Sequence, residues 1–179
     1  MMKNMQWFVH KIIEAHVHDE VHAIDMTMGQ GYDTVHLASR AKHVSAFDVQ
    51  EAALHATALR LEREQRHNVT LYHASHEQFA AYVQEPYHFV IFNCGYLPGS
   101  DKRIKTHPTT TTQALNAAYE GLSPEGVIVM TLYAKHEGAA QETQAVHAAL
   151  KAFKDARISR YHFLFDGHAP EVILIEKKP

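Results

Sequence analysis

The chain has 179 residues, 46% of them apolar and 21% charged, which suits a single globular domain spanning residues 1–179. Its formal net charge of −3 argues against broad electrostatic binding to nucleic acid, while leaving room for a local basic patch. The single cysteine, Cys94, excludes an internal disulfide, and no apolar run approaches the roughly 18 residues of a membrane span.

The first segment, Met1 to Glu14, is broken by Lys3, His10 and Lys11. It has no continuous apolar core, so it does not read as a signal peptide, and a cytoplasmic protein is expected. Met5, Phe8, Val9, Ile12 and Ile13 recur at helical spacing, so an amphipathic helix is expected there. The first strand is expected over Val21–Met26. It feeds the short glycine loop Thr27-Met28-Gly29-Gln30-Gly31, and a helix is expected from Asp33 to Arg40. A second strand, Val44–Val49, carries an acid near its end, Asp48. A strand, a glycine loop, a helix and an acid after the next strand form the usual cradle for an adenosine-containing cofactor. The glycines let the backbone approach the ligand, and the acid accepts hydrogen bonds from ribose hydroxyls.

Glu51–Arg66, rich in Ala, Leu, Glu and Arg, reads as a helix. Val69–Tyr72 reads as a strand, and Glu77–Gln84 as a short helix stopped by Pro86. Tyr87–Asn93 is a buried strand. Thr110–Gly121 is a helix, Ser123–Gly126 a turn, Val127–Leu132 a strand and Ala139–Lys154 a long helix. This alternation predicts an α/β fold with a mainly parallel sheet covered on both faces. Ile158–Phe165 and Val172–Glu176 are both strand-like. The short segment between them cannot hold a helical crossover of about ten residues or more, so the two strands are expected to pair antiparallel.

The loop lacks the third glycine of the dinucleotide fingerprint, because Thr34 stands in its place. That departure and the terminal hairpin point away from a nicotinamide-dependent oxidoreductase. The arrangement resembles the Rossmann-like, seven-stranded sheet of class I S-adenosylmethionine-dependent methyltransferases. A second motif follows the fourth strand, Asn93-Cys94-Gly95-Tyr96-Leu97-Pro98-Gly99-Ser100-Asp101-Lys102. In open α/β sheets the carboxyl ends of the strands line the ligand crevice. Asn93-Cys94-Gly95-Tyr96 stands where amino-group methyltransferases carry Asn/Asp-Pro-Pro-Tyr, with both prolines replaced.

These motifs together resemble one family. Asp25 to Thr34 looks like its D-A-T-x-G-N-G-x-D-T, and Ala46 to Gln50 like its A-F-D-I-Q. Asn93 to Lys102 looks like its N-L-G-Y-L-P-G-G-D-K, and Tyr133 to Gly138 like its Y-P-G-H-x-E-G region. The family, long labelled ribosomal RNA methylases, contains transfer-RNA methyltransferases that convert 5-aminomethyl-uridine at wobble position 34 to 5-methylaminomethyl-uridine. Gln30 replaces the loop asparagine, Cys94 a leucine, and Ala134-Lys135 the Pro-Gly before His136.

The resemblance implies S-adenosylmethionine as cofactor and a transfer-RNA anticodon loop as partner, with no metal. It implies cofactor contacts from Asp25, Thr27, Met28, Gly29, Gln30, Gly31, Asp33 and Thr34. Asp48 would take the ribose hydroxyls, and Gln50, Ser75 and His76 would lie near the adenine. Asn93 would meet both cofactor and target amine. Asp101, Tyr133 and His136 are candidates for removing the amine proton, and Tyr96 for stacking on the base. Lys102, Arg103 and Lys105 would meet phosphates. The sixteen histidines are mostly scattered singly and are expected in solvent. A homodimer through the first helix or the last strand edge is possible. Methylation of another RNA or a small amine, nicotinamide chemistry, and a regulatory module without catalysis are the alternatives.

Overall fold

The computed structural model describes residues 5–95, 105–133, 138–162 and 170–179. The described elements run α1 (Met5–His16), β1 (His22–Asp25), α2 (Tyr32–Ala38), β2 (His43–Asp48), α3 (Glu51–Arg63), β3 (Val69–His73), a 3₁₀ helix (His76–Ala81), β4 (Tyr87–Cys94), α4 (Pro108–Gly121), β5 (Leu122–Leu132), α5 (Ala139–Leu150), β6 (Ala156–Tyr161) and β7 (Glu171–Lys177). The seven strands form one sheet in the order β3-β2-β1-β4-β5-β7-β6. β1 to β5 are parallel, and β7 lies antiparallel to both β5 and β6. The terminal hairpin expected from the short connection is therefore present, although β6 begins at Ala156 and its expected end, residues 163–165, lies outside the described residues.

Strand periodicity of two splits the apolar side chains between two cores. Val90 and Phe92 of β4, Ile128 and Met130 of β5, and Ile173 and Ile175 of β7 face one side. There they meet Ala114, Leu115 and Ala118 of α4 and Val146 and Leu150 of α5. Phe89, Ile91, Val127, Val129, Val172 and Leu174 face the other side. They pack with Met5, Val9, Ile12 and Ile13 of α1 and Leu37 of α2. Each fully buried side chain of this size contributes roughly 1.5–3 kcal/mol. The expected N-terminal amphipathic helix is thus a cover for one face of the sheet.

Some boundaries differ from those the sequence predicts. The short helix after β3 is a 3₁₀ helix that starts at His76. α4 starts at Pro108, whose missing amide hydrogen costs nothing in a first turn, and the His107 side chain accepts a hydrogen bond from the Thr109 amide. The turn Ser123–Gly126 sits inside β5 as an irregularity. Tyr87 pairs with Leu122, but Phe89 pairs with Val127. Glu125 takes a φ of 60° there. Among the described residues no helix is long and apolar enough to cross a membrane.

The strand order changes direction between β1 and β4. β2 and β3 extend to one side of β1, and β4, β5 and the hairpin to the other. Such a switch point opens a crevice at the carboxyl ends of its strands. The glycine loop and the described start of the second motif, Asn93 to Gly95, lie at that edge.

Candidate active site

A cleft of about 590 Å³ occupies the switch point. Its walls are made by the loop after β1, the ends of β2 and β3, the ends of β4 and β5, and one side of α1.

The loop is built by its own hydrogen bonds. The Gly31 amide donates to the Met28 carbonyl at 2.7 Å, and the Met28 amide to the Phe47 carbonyl at 3.0 Å. Gly29 and Gly31 hold φ values of 50° and 77°, the left-handed region that glycine enters at no steric cost. From below, α3 grips the turn. Thr57 Oγ1 donates to the Gly29 carbonyl at 3.1 Å, and Arg60 Nε donates to the Gln30 carbonyl at 2.7 Å. Arg60 also lies over the ring of Tyr32, 3.6 Å from its centroid. Met28, Gly29 and Gln30 face the cleft, as do Thr27, Tyr32 and Asp33.

Asp25, Gly31 and Thr34, expected at the cofactor, do not line the cleft among the described residues. Asp25 is fully buried behind the loop. It accepts from the Thr27 amide at 3.1 Å and from Thr34 Oγ1 at 2.7 Å. Its burial raises its carboxyl to about 7, against the opposing pull of the Thr34 hydrogen bond. These three residues support the loop. Thr27 then carries the support across the sheet, because its hydroxyl accepts from the Asn93 amide at 2.7 Å.

Asp48 does face the cleft. Its two oxygens accept from the Gly29 amide at 3.1 Å and the Gln50 amide at 3.0 Å. A carboxylate offers about four acceptor sites, so these bonds leave capacity for ribose hydroxyls. Burial raises its pKa, and the Gln50 and Gly29 amides oppose that shift. Gln50, Ala74, Ser75 and His76 complete this wall, and the Ser75 hydroxyl donates to Glu77. His76 is buried rather than solvated, and burial lowers its pKa. Its Nε2 has no hydrogen-bond partner among the described residues, nor has Thr131 Oγ1 on the same cleft. Two residues of one cleft that carry orphaned polar atoms suit a ligand with polar edges.

The opposite wall holds Asn93, Gly95, Lys105, Thr106, Thr110 and Tyr133. The Thr106 amide donates to the Gly95 carbonyl at 2.8 Å, so the two described ends of the strand-four loop meet. Glu142 of α5 fastens that junction from beneath, accepting from Thr106 Oγ1 at 2.9 Å and Thr111 Oγ1 at 2.6 Å. Burial, then Asp33 and Cys94, raise the Tyr133 phenol, which keeps it a proton donor at neutral pH. Cys94 is buried, and burial pushes its thiol well up, so it packs as an apolar residue. The expected roles of Tyr96, Asp101, Lys102, Arg103 and His136 fall on residues outside the described ones.

Sequence reasoning missed the contribution of α1. Gln6 and Val9 line the cleft. One turn on, His10 Nε2 meets Asp33 Oδ1 at 2.7 Å, and Asn93 Nδ2 meets Asp33 Oδ2 at 2.7 Å. No local signal marks these residues, because the partners lie far apart in the chain.

Comparison with known proteins decides the family. The model described as "Putative rRNA methylase" matches residues 44–177. The chain belongs to this family. A curated relative, the chloroplastic tRNA (mnm(5)s(2)U34)-methyltransferase of Arabidopsis thaliana, is 34% identical over 139 residues. That match takes in 70% of the chain and 51% of the relative, so the chain spans about half the relative's length. Among solved structures, a "putative rRNA-methylase" from Clostridium thermocellum superposes with a TM-score of 0.93 at 32% identity, covering 99% of both chains. A "putative methyltransferase" from Streptococcus mutans, in complex with SAH, superposes at 0.91 with 35% identity, again over 99% of both chains. The architecture is that of the Rossmann-like class I methyltransferases, and S-adenosylmethionine is their cofactor.

Proposed function

We propose that the chain is an S-adenosylmethionine-dependent methyltransferase that converts 5-aminomethyl-(2-thio)uridine to 5-methylaminomethyl-(2-thio)uridine at wobble position 34 of transfer RNA, in the cytoplasm. The observation that carries this reading is Asn93. Its side chain stands at the end of β4, on the wall facing the glycine loop and Asp48, in the same cleft. An amide there offers a carbonyl acceptor to an amine without competing for its lone pair. The name of the Arabidopsis relative supports the wobble-uridine substrate.

The residues present fit the cofactor. Asp48 offers ribose acceptors, and the orphaned His76 Nε2 and Thr131 Oγ1 offer polar contacts. Asp33 and Asp48 give the cleft an acidic lining that favours a cationic ligand. Gln30, Gln50, Ser75, Met28 and Gly29 are the further contacts proposed. When bound, S-adenosylmethionine supplies a methyl group already activated on a sulfonium.

The chain's own task is alignment and proton removal. Nitrogen, methyl and sulfur must lie in line, and such positioning contributes several kcal/mol, about 7 or more in ideal cases. Asn93 orients the amine. Tyr133, held neutral, donates rather than accepts, which leaves Asp101 and His136 as the proposed proton acceptors. Lys105 on the cleft rim, with Lys102 and Arg103 beside it in sequence, is proposed to meet anticodon-loop phosphates. Tyr96 is proposed to stack on the base. The wobble base is already single-stranded, so turning it into a pocket costs less than from a duplex.

The test is methyl transfer from labelled S-adenosylmethionine to transfer RNA carrying 5-aminomethyl-2-thiouridine at position 34, followed by nucleoside mass spectrometry. The expected product is 5-methylaminomethyl-2-thiouridine. Labelling of ribosomal RNA or a free amine, with this transfer RNA untouched, would replace the substrate assignment.

A further inference from the structure

Asp33 lies between two side chains from distant parts of the chain. Its Oδ1 meets His10 Nε2 and its Oδ2 meets Asn93 Nδ2, both at 2.7 Å. A carboxylate only accepts hydrogen bonds, so both partners must donate. This fixes the orientation of the Asn93 amide. Nδ2 is turned to Asp33, and Oδ1 is left for the cleft. It also fixes the proton of His10 on Nε2.

Without His10, the Asp33 side chain would have one fixed oxygen instead of two. His10 is itself braced. Its ring stacks on His36 with centroids 4.0 Å apart and planes within 6°. The α1 backbone beneath it is anchored by Val9, Ile12 and Ile13 in the core. A rigid helix thus reaches over the switch point and holds the carboxylate that aims the amide.

We propose that His10 is a positioning residue for methyl transfer: through Asp33 it fixes the Asn93 carboxamide so that Oδ1 faces the target amine, an assignment that rests on the amine-methylation reading above. His10 touches neither the donor nor the acceptor. It acts through Asp33, and its loss reduces the fraction of molecules whose amide is correctly aimed. The effect therefore falls on kcat, while binding of S-adenosylhomocysteine (the demethylated product of the donor) is spared.

The experiment compares wild type, His10→Ala, His10→Gln, Asn93→Ala and the His10→Ala/Asn93→Ala double variant in transfer-RNA methylation. Calorimetry with S-adenosylhomocysteine and the thermal midpoint check that each variant is folded. His10→Ala is expected to lower kcat about 10-fold with the S-adenosylhomocysteine affinity within about 2-fold of wild type. His10→Gln, whose amide nitrogen replaces Nε2 as donor, is expected to recover most of the loss. In the Asn93→Ala background the His10→Ala change should add less than about 2-fold, because the group it positions is gone. Equal losses in both backgrounds, or no recovery with Gln, would overturn the proposal.

A second readout does not depend on the substrate. The Asn93 side-chain amide signals, identified in the proton–nitrogen spectrum by their disappearance in Asn93→Ala, should shift or broaden in His10→Ala and return in His10→Gln. If wild type fails to methylate this transfer RNA while the amide signals respond as expected, the substrate reading fails and the coupling of His10 to Asn93 stands. If the signals are unchanged in His10→Ala, the coupling itself is wrong.

Discussion

Asp25 is a carboxyl group with no access to water, and its place in the loop has a measurable cost. Burial raises its pKa to about 7, and the nearby Asp33 and Asp48 add to the rise. An unfolded chain would hold this group near its ordinary value of about 3.9. Between those values the folded chain binds the proton more tightly than the unfolded one. Stability from this group is therefore greatest below about pH 4, falls as pH rises towards 7, and is level above that. His22, His36 and His76 are shifted the opposite way by burial, and their lowered values make stability rise with pH in the acidic range. A difference measurement cancels them. In Asp25→Asn the amide oxygen can still accept from the Thr27 amide, and its nitrogen can donate to the Thr34 hydroxyl. Urea unfolding of wild type and Asp25→Asn at pH 5, 6, 7 and 8 should show the variant gaining on wild type as pH rises. A constant gap across that range would mean that Asp25 does not carry the expected proton. Asp25→Ala, which leaves both donors unpaired, should be less stable than Asp25→Asn by about 1–3 kcal/mol.

At the scale of elements, the junction from loop to α2 depends on Gly31. A Cβ added there would sit 2.9 Å from the Thr57 side chain and 3.0 Å from its Cα, and the φ of 77° already disfavours any side chain. Gly138, before α5, shares the left-handed backbone at 86° but has nothing within 4 Å of such a Cβ among the described residues. The pair separates strain from contact. Gly138→Ala should cost about 1–2 kcal/mol from backbone conformation alone. Gly31→Ala should cost more and also weaken S-adenosylhomocysteine binding, since Thr57 and Arg60 hold the turn at its carbonyls. Equal costs and unchanged binding would show that α3 does not grip the loop closely. This junction was legible in the sequence because its signals are local: a strand, two glycines and an acid at the end of the next strand. The His10–Asp33–Asn93 chain was not. Its members are brought together only when α1 packs across the sheet, and helical periodicity reports which face is apolar without naming the partner of a polar residue. His76, expected near the adenine, lies on the cleft, but its burial between the 3₁₀ helix and β4 has no local sequence signal.

At the scale of the molecule, the antiparallel pairing of β6 and β7 could be foreseen, because the short link before β7 forbids a crossover helix, whereas the order β3-β2-β1-β4-β5-β7-β6 is a finding of the structure. The register could not, as the irregularity inside β5 has no counterpart in apolar alternation. What the whole sheet accomplishes is convergence. Groups from β2, β4, β5 and α1 and from the segments after β1 and β3 meet in one cleft, and none of these elements could form it alone. A ligand that binds there bridges both halves of the sheet and binds only the folded chain. At a concentration 100 times its dissociation constant it should stabilise the fold by about 2.7 kcal/mol. For a chain of this size that corresponds to a rise in Tm of roughly 5–10 °C. S-adenosylhomocysteine and S-adenosylmethionine should produce this shift, and NAD at the same concentration should produce none, because the turn lacks the third glycine that lets a helix pack closely beneath a pyrophosphate. The shift should also need Asp48. Asp48→Ala removes the ribose acceptor and frees the Gly29 and Gln50 amides, so its Tm should hardly respond to S-adenosylhomocysteine at a concentration that saturates wild type. A shift with NAD, or a full shift in Asp48→Ala, would mean that the cleft holds its cofactor by contacts other than those assigned to it.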